Sequence, residues 1–317
     1  MRLNAITRKS AFAAILLLVV ILVATALRSH FSPFEVELCD SPYVERPLVL
    51  VVAMFIALCT GIVMGKMFPR SGLNKGFCTL PVPLYGVLAY GIFVAPNTLM
   101  TAAASFCFAF ALFLLLRSLH VAEEKNPIFF ASILLGSMVL FVPTTILFVV
   151  AIPLLFFMLA LSLRQLLLMV AGYTLPLLAA SYVMWYRGDS ILDFGRNLLA
   201  YLVVPQMDNI STIPYVAVAM LLLVVILLLW GVIYYIVRPD KMFMLARVRH
   251  AFYLFLSILL LSLSIVFIPA WNLSLFPIVA VPMTILLSLV LNLLPNNHST
   301  IAYWVLLLLL SIHLFIA

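Results

Sequence analysis

Glu35, Glu37 and Asp40 stand within six positions of one another in the polar stretch RSHFSPFEVELCDSPYVER, and Arg187, Asp189, Asp193 and Arg196 recur in a second, RGDSILDFGRNLLAYLVVPQMDNISTIP. A carboxylate in such a place can act as general base on a hydroxyl such as that of a sugar, and nearby arginines can hold a phosphate leaving group by charge-assisted, bidentate hydrogen bonds. Glu35, Glu37 and Asp40 are therefore the candidate catalytic residues, and Arg187, Asp189, Asp193 and Arg196 the candidate substrate-binding ones. The same residues also read as solvated loop charges paired with lipid headgroups, and spacing alone does not separate the two readings.

Other chemistries lack their residues. No phosphate-binding glycine loop, HExxH, GxSxG or Cys/His metal cluster occurs, so nothing in the chain calls for a cofactor or a metal. The four cysteines, Cys39, Cys59, Cys78 and Cys107, include no CxxC pair and read as structural thiols. Arg187-Gly188-Asp189 spells an adhesion tripeptide, and Asn209, Asn272 and Asn297 begin sequons; a chain of this length produces such matches by chance.

The elements that must position these residues follow from composition. With 67% hydrophobic and 9% charged residues over 317 positions, the chain lies far from the soluble norm of about 45–50% apolar and about 25% charged. A bilayer absorbs that apolar surface, because a helix of about 20 residues satisfies its own backbone while its side chains face lipid. Eleven runs qualify as candidate spans: Ala11 to Leu27, Pro47 to Met64, Phe77 to Ala95, Thr98 to Leu116, Ile128 to Val142, Thr144 to Leu163, Leu166 to Tyr186, Tyr215 to Val237, Ala251 to Ile268, Leu273 to Leu294 and Ile301 to Ile316. The count carries a margin of 10–12.

All 17 basic and 10 acidic residues fall outside these runs. Alternation from a cytoplasmic N-terminus leaves Arg2, Arg8, Lys9, Lys66, Arg70, Lys75, Arg117, Lys125, Arg164, Arg238, Lys241, Arg247 and Arg249 inside, with only Arg28, Arg46, Arg187 and Arg196 outside. The acidic residues lean the other way, since only Glu123, Glu124 and Asp240 fall inside. Retention of basic loops on the cytoplasmic side thus predicts the N-terminus in and the C-terminus in the periplasm. It also accounts for the net charge of +7 without a nucleic-acid partner. The first run has a basic start and ends in Ala24-Thr25-Ala26, and it is read as an uncleaved signal anchor.

Both candidate clusters then lie in exported loops, residues 28–46 and 187–214. In the second, Ile191, Leu192, Phe194, Leu198, Leu199, Leu202 and Val203 share one helical face, opposite Asp193, Arg196 and Asn197. Asp189 or Ser190 can cap that helix and Pro205 ends it, which predicts an interfacial amphipathic helix on the outer leaflet.

Proline marks three outer turns, at Pro96, Pro143 and Pro269, and it recurs in Val150-Ala151-Ile152-Pro153 and Val279-Ala280-Val281-Pro282, which hints at a parallel internal repeat. Pro83, Pro153, Pro176 and Pro282 can either break helices to expose carbonyls to a substrate or kink them for packing. Among ionisable residues only His313 falls inside a run, close to the C-terminus, so an ion-coupled transporter is not indicated.

The stretches NKGFCTLPVPLYGVLAYGIFVAPNTLMTAAASFCFAFALFLLLRSLH and PIFFASILLGSMVLFVPTTILFVVAIPLLFFMLALSLRQLLLMVAGYTLPLL, with the later FIPAWNLSLFPIVAVPMTILLSLVLNLL, resemble an uncharacterised family of bacterial polytopic inner-membrane proteins of about 300 residues. That resemblance implies a bacterial inner-membrane location and supplies no catalytic residue. At fold level, the hairpins and the late proline-containing helix look like the multispan glycosyltransferases that use polyprenyl-linked sugar donors. Those enzymes carry an acidic residue in the first exported loop, where Glu35, Glu37 and Asp40 stand, but this loop is short for them and no large exported domain follows.

The expected fold is all-α, a single polytopic transmembrane bundle spanning residues 1–317. The expected function is handling of a lipid-linked glycan or other lipid-like substrate at the outer leaflet of the bacterial cell envelope, with membrane lipids as partners. Two other classes stand beside it: a non-catalytic scaffold subunit of an envelope assembly or secretion complex, bound to other membrane proteins, and an uncoupled permease or flippase.

Overall fold

A computed structural model describes residues 11–31, 46–70, 79–91, 99–118, 126–150, 152–153, 155, 162–188, 190, 193–196, 198, 200, 215–237, 252–263, 275–294 and 296–316. Among them the regular structure is entirely helical: α1 Ala11–Phe31, α2 Arg46–Arg70, α3 Pro81–Gly86 with a π-helical continuation Val87–Gly91, α4 Leu99–Ser118, α5 Asn126–Phe141, a 3₁₀ helix Pro143–Val150, α6 Leu163–Tyr186, α7 Tyr215–Val237, α8 Phe252–Leu263, α9 Phe276–Leu293 and α10 Asn296–Ile316.

Five of these contain apolar stretches long enough to cross a membrane: Leu48–Met67, Leu99–Leu116, Leu163–Tyr186, Tyr215–Tyr234 and Asn297–Leu314. Their outward faces carry what water would reject. Leu48, Val51 and Phe55 on α2, Leu163, Leu167 and Leu178 on α6, and Leu222, Leu229 and Ile233 on α7 are all exposed. Apolar patches of that extent mark a lipid-facing surface. Several apolar helices with such faces fit a multispan membrane protein.

The interior is built around α3 with its π turn and α9. α3 with its π turn is buried at every residue, enclosed by α1, α2, α9 and α10. α9 is buried from Phe276 to Leu291 and packs on α3, α4 and α7. Both begin with proline in the first turn, where the missing amide costs no helical hydrogen bond.

α5 and α6 form the most intimate pair, and small residues explain it. Gly136 lies against the Tyr173 carbonyl and the Pro176 ring, while Gly172 lies against Ser132 and the Phe129 carbonyl oxygen. Helices in lipid gain little from hydrophobic burial against one another, so close backbone approach through small residues supplies the packing contact. Pro176 is buried in this seam, and Pro83 and Pro282 are buried in α3 and α9. Those three rings are enclosed by protein, whereas Pro153 is exposed.

The sixth expected span departs from regular α-helix at its start. Over Pro143–Val150 the chain winds as a 3₁₀ helix, because Thr145 donates from both its amide and its hydroxyl to the Val142 carbonyl, at 3.0 and 2.7 Å. The Tyr173 hydroxyl of α6 donates to the Ile146 carbonyl at 3.0 Å and satisfies one group of this tighter winding. Phe148 on the same segment packs on Phe108 of α4, ring centroids 4.9 Å apart.

Candidate functional site

The polar end of α6 is defined by local rules. Ser162 caps its start in a reciprocal capping box with Gln165. At the other end Arg187 is the C-cap, its amide reaching the Val183 and Met184 carbonyls, and Gly188 follows at φ +101°, where a Cβ would be strained. A cation at a helix C-terminus also complements the helix dipole. Tyr182, Trp185 and Tyr186 just before it are exposed, as is Tyr215 at the start of α7. Exposed aromatics on both helices flanking residues 187–214 are what a membrane–water boundary favours.

Beyond Gly188 a new helical stretch begins. Ser190 heads it: the Ser190 amide donates to Asp193 Oδ2 at 3.2 Å, and the Asp193 amide donates to the Ser190 carbonyl at 3.0 Å. Asp193 to Arg196 are helical, as are Leu198 and Ala200. Phe194 packs against the core and Leu198 is buried, while Gly195, Arg196 and Ala200 are exposed. At these described positions Phe194 and Leu198 thus face inward and Arg196 outward.

Asp193 and Arg196 are brought together, with Arg196 Nη1 3.7 Å from Asp193 Oδ1. The Arg196 side chain is 76% exposed and that of Asp193 47%, so the pair is screened and adds at most about 1 kcal/mol. Asp193 thus has two local duties, capping and pairing, whereas Arg196 presents its remaining donors to the outside. Glu35, Glu37, Asp40 and Asp189 lie outside the described residues. Among the described residues no group of three His, Cys, Asp or Glu is placed to hold a metal.

A second polar group lies within the bundle, where sequence reading did not look. Tyr85 of α3 donates to Ser105 Oγ of α4 at 3.0 Å, and the Tyr90 ring of the π turn meets the Tyr85 ring edge-on, centroids 6.0 Å apart. Thr60 of α2 is beside Tyr85. All four are at most 3% exposed. A signal for this cluster exists in the repeated Tyr85-Gly86 and Tyr90-Gly91, spaced by five. On an α-helix that spacing separates side chains by about 140°, and the i→i+5 winding of a π turn reduces the angle enough for the rings to meet.

Cys59 and Cys107, on α2 and α4, are free thiols of intermediate burial, in keeping with a structural reading. Comparison with protein-family models, curated proteins and solved structures yields no match to this chain.

Proposed function

We propose that this chain is a multispan protein of the bacterial inner membrane, with its N-terminus in the cytoplasm, that handles a lipid-linked glycan or other lipid-like substrate at the outer leaflet. The observation that carries this reading is the segment after α6: a two-faced helical stretch with Phe194 and Leu198 turned inward, Arg196 turned out, and exposed Trp185 and Tyr186 immediately before it. Such a segment suits the headgroup level, and an exposed guanidinium there suits a lipid phosphate.

On this reading Arg187 and Arg196 hold the phosphate of the lipid donor, with Asp189 and Asp193 orienting them, and Glu35, Glu37 and Asp40 supply the general base. The buried seats of Pro83, Pro176 and Pro282 favour a surface site over a permeation path through broken helices.

The test is glycan transfer from a polyprenyl-phosphate donor by the full-length protein in reconstituted membranes. Converting Glu35, Glu37 and Asp40 together to amides should abolish transfer while membrane insertion is unchanged. Retained transfer removes the catalytic assignment, and purification with one reproducible partner, carboxylates being dispensable, favours a scaffold subunit instead.

A further inference from the structure

The buried hydroxyls of Thr60, Tyr85, Tyr90 and Ser105 can be accounted for proton by proton. Thr60 donates to the Ile56 carbonyl at 2.9 Å, Tyr85 to Ser105 Oγ at 3.0 Å, and Ser105 to the Ala102 carbonyl at 2.8 Å. Among the described residues the fourth proton has no acceptor. The Tyr90 hydroxyl lies near those of Tyr85 and Ser105 but short of hydrogen-bond geometry with either, and no described residue accepts from it, although the residue is only 3% exposed. A hydroxyl held in this way in a low-dielectric interior carries its full desolvation penalty unless something accepts from it.

What the cluster lacks defines what it can take. It offers one donor, on Tyr90, and open oxygen lone pairs on Tyr85 and Ser105. The complement is a molecule with an acceptor and donors of its own. The described members bear no formal charge, so an ion would be poorly compensated there. Size is limited as well: Leu18 stands 2.6 Å from where a Cβ of Gly86 would be, and Leu310 closes the side of Gly91.

We propose that Tyr85, Tyr90 and Ser105 form a binding site for one uncharged hydrogen-bonding molecule of the size of water, which accepts from Tyr90 and donates to the oxygens of Tyr85 and Ser105. A water in a polar site with two to four such partners is a structural component of a fold. Here it ties α3 and its π turn to α4, and the site is independent of any reading of the exported loops.

Infrared spectroscopy of the full-length protein in detergent, exchanged between H₂¹⁶O and H₂¹⁸O, tests this with water itself as the probe. The wild type should show an O–H stretching band that shifts on exchange, and Tyr90→Phe should remove it and lower the apparent Tm by a few degrees. Ser105→Ala, a second conservative change, should weaken the same band. The proposal is overturned by the absence of an exchange-sensitive band that Tyr90→Phe removes. It is equally overturned if Tyr90→Phe raises the apparent Tm, the result expected when a hydroxyl with no partner is deleted.

Discussion

Gly136 of α5 meets the carbonyl oxygen of Tyr173 in α6, and farther along the same seam Gly172 of α6 meets the Phe129 carbonyl oxygen at a distance that a Cβ would reduce to 2.8 Å. Each helix therefore presents its glycine to the other's backbone, and neither neighbour is the movable end of a long side chain. Replacing Gly136 or Gly172 by leucine should separate α5 from α6 and destabilise the protein by about 1–3 kcal/mol or more. The check is the apparent Tm in detergent, with Gly195→Leu as control, since nothing lies within 4 Å of a Cβ at that exposed position.

The Tyr173 hydroxyl bond to the Ile146 carbonyl supports the 3₁₀ segment. Tyr173→Phe keeps the ring and removes one donor, so it should cost about 1 kcal/mol. Faster amide hydrogen exchange confined to residues 143–150 is the expected signature, and an unchanged exchange pattern would show that this bond does not hold the segment.

Ser162 is exposed, yet it completes the capping box that starts α6. Ser162→Ala should lower stability by about 1 kcal/mol, and Ser162→Asp should largely retain it because aspartate also caps. Chemical denaturation of both variants gives the comparison, and equal midpoints for all three proteins would deny the cap any energetic role.

Arg196 reaches outward from the segment after α6, and its bond to Asp193 is weak. Arg196→Gln should therefore leave Tm nearly unchanged while reducing binding to vesicles that contain an anionic phospholipid. A matching fall on neutral phosphatidylcholine vesicles would instead indicate loss of the fold of this segment. Binding by the wild type should weaken as salt rises, since exposed charges are screened over about 10 Å at 0.1 M.

Orientation is testable with introduced thiols on a background where Cys39, Cys59, Cys78 and Cys107 are serine. A cysteine at Arg187 should react with an impermeant maleimide added to intact cells, and one at Lys66 should react only after lysis. The opposite pattern would invert the proposed topology. Both side chains are exposed at helix ends, so their reactivity reports sidedness and is not limited by burial.

Much of the architecture is legible along the chain because its causes are local. Apolar run length accounts for the described helices, five of which are long enough to cross a membrane, and Lys66 and Arg164 are exposed near helix ends. Phe194 faces inward and Arg196 outward, since helical periodicity and a capping pair are properties of a few adjacent residues.

The helical class of this protein, with several helices apolar and long enough to cross a membrane, was determined by sequence alone, because a bilayer imposes one rule on every residue of a run and composition reports it directly. Which runs became the centre was decided only in three dimensions. Residues 81–91, with two prolines, two tyrosines and two glycines, are less apolar than the aliphatic run of α7, yet they are wholly enclosed while α7 is largely exposed. The π turn that brings Tyr90 to Tyr85, the bond from Tyr85 to Ser105 and the seating of Gly136 on Tyr173 each join residues from separate turns or separate helices. Their geometry is set by packing between surfaces that the linear pattern leaves equivalent.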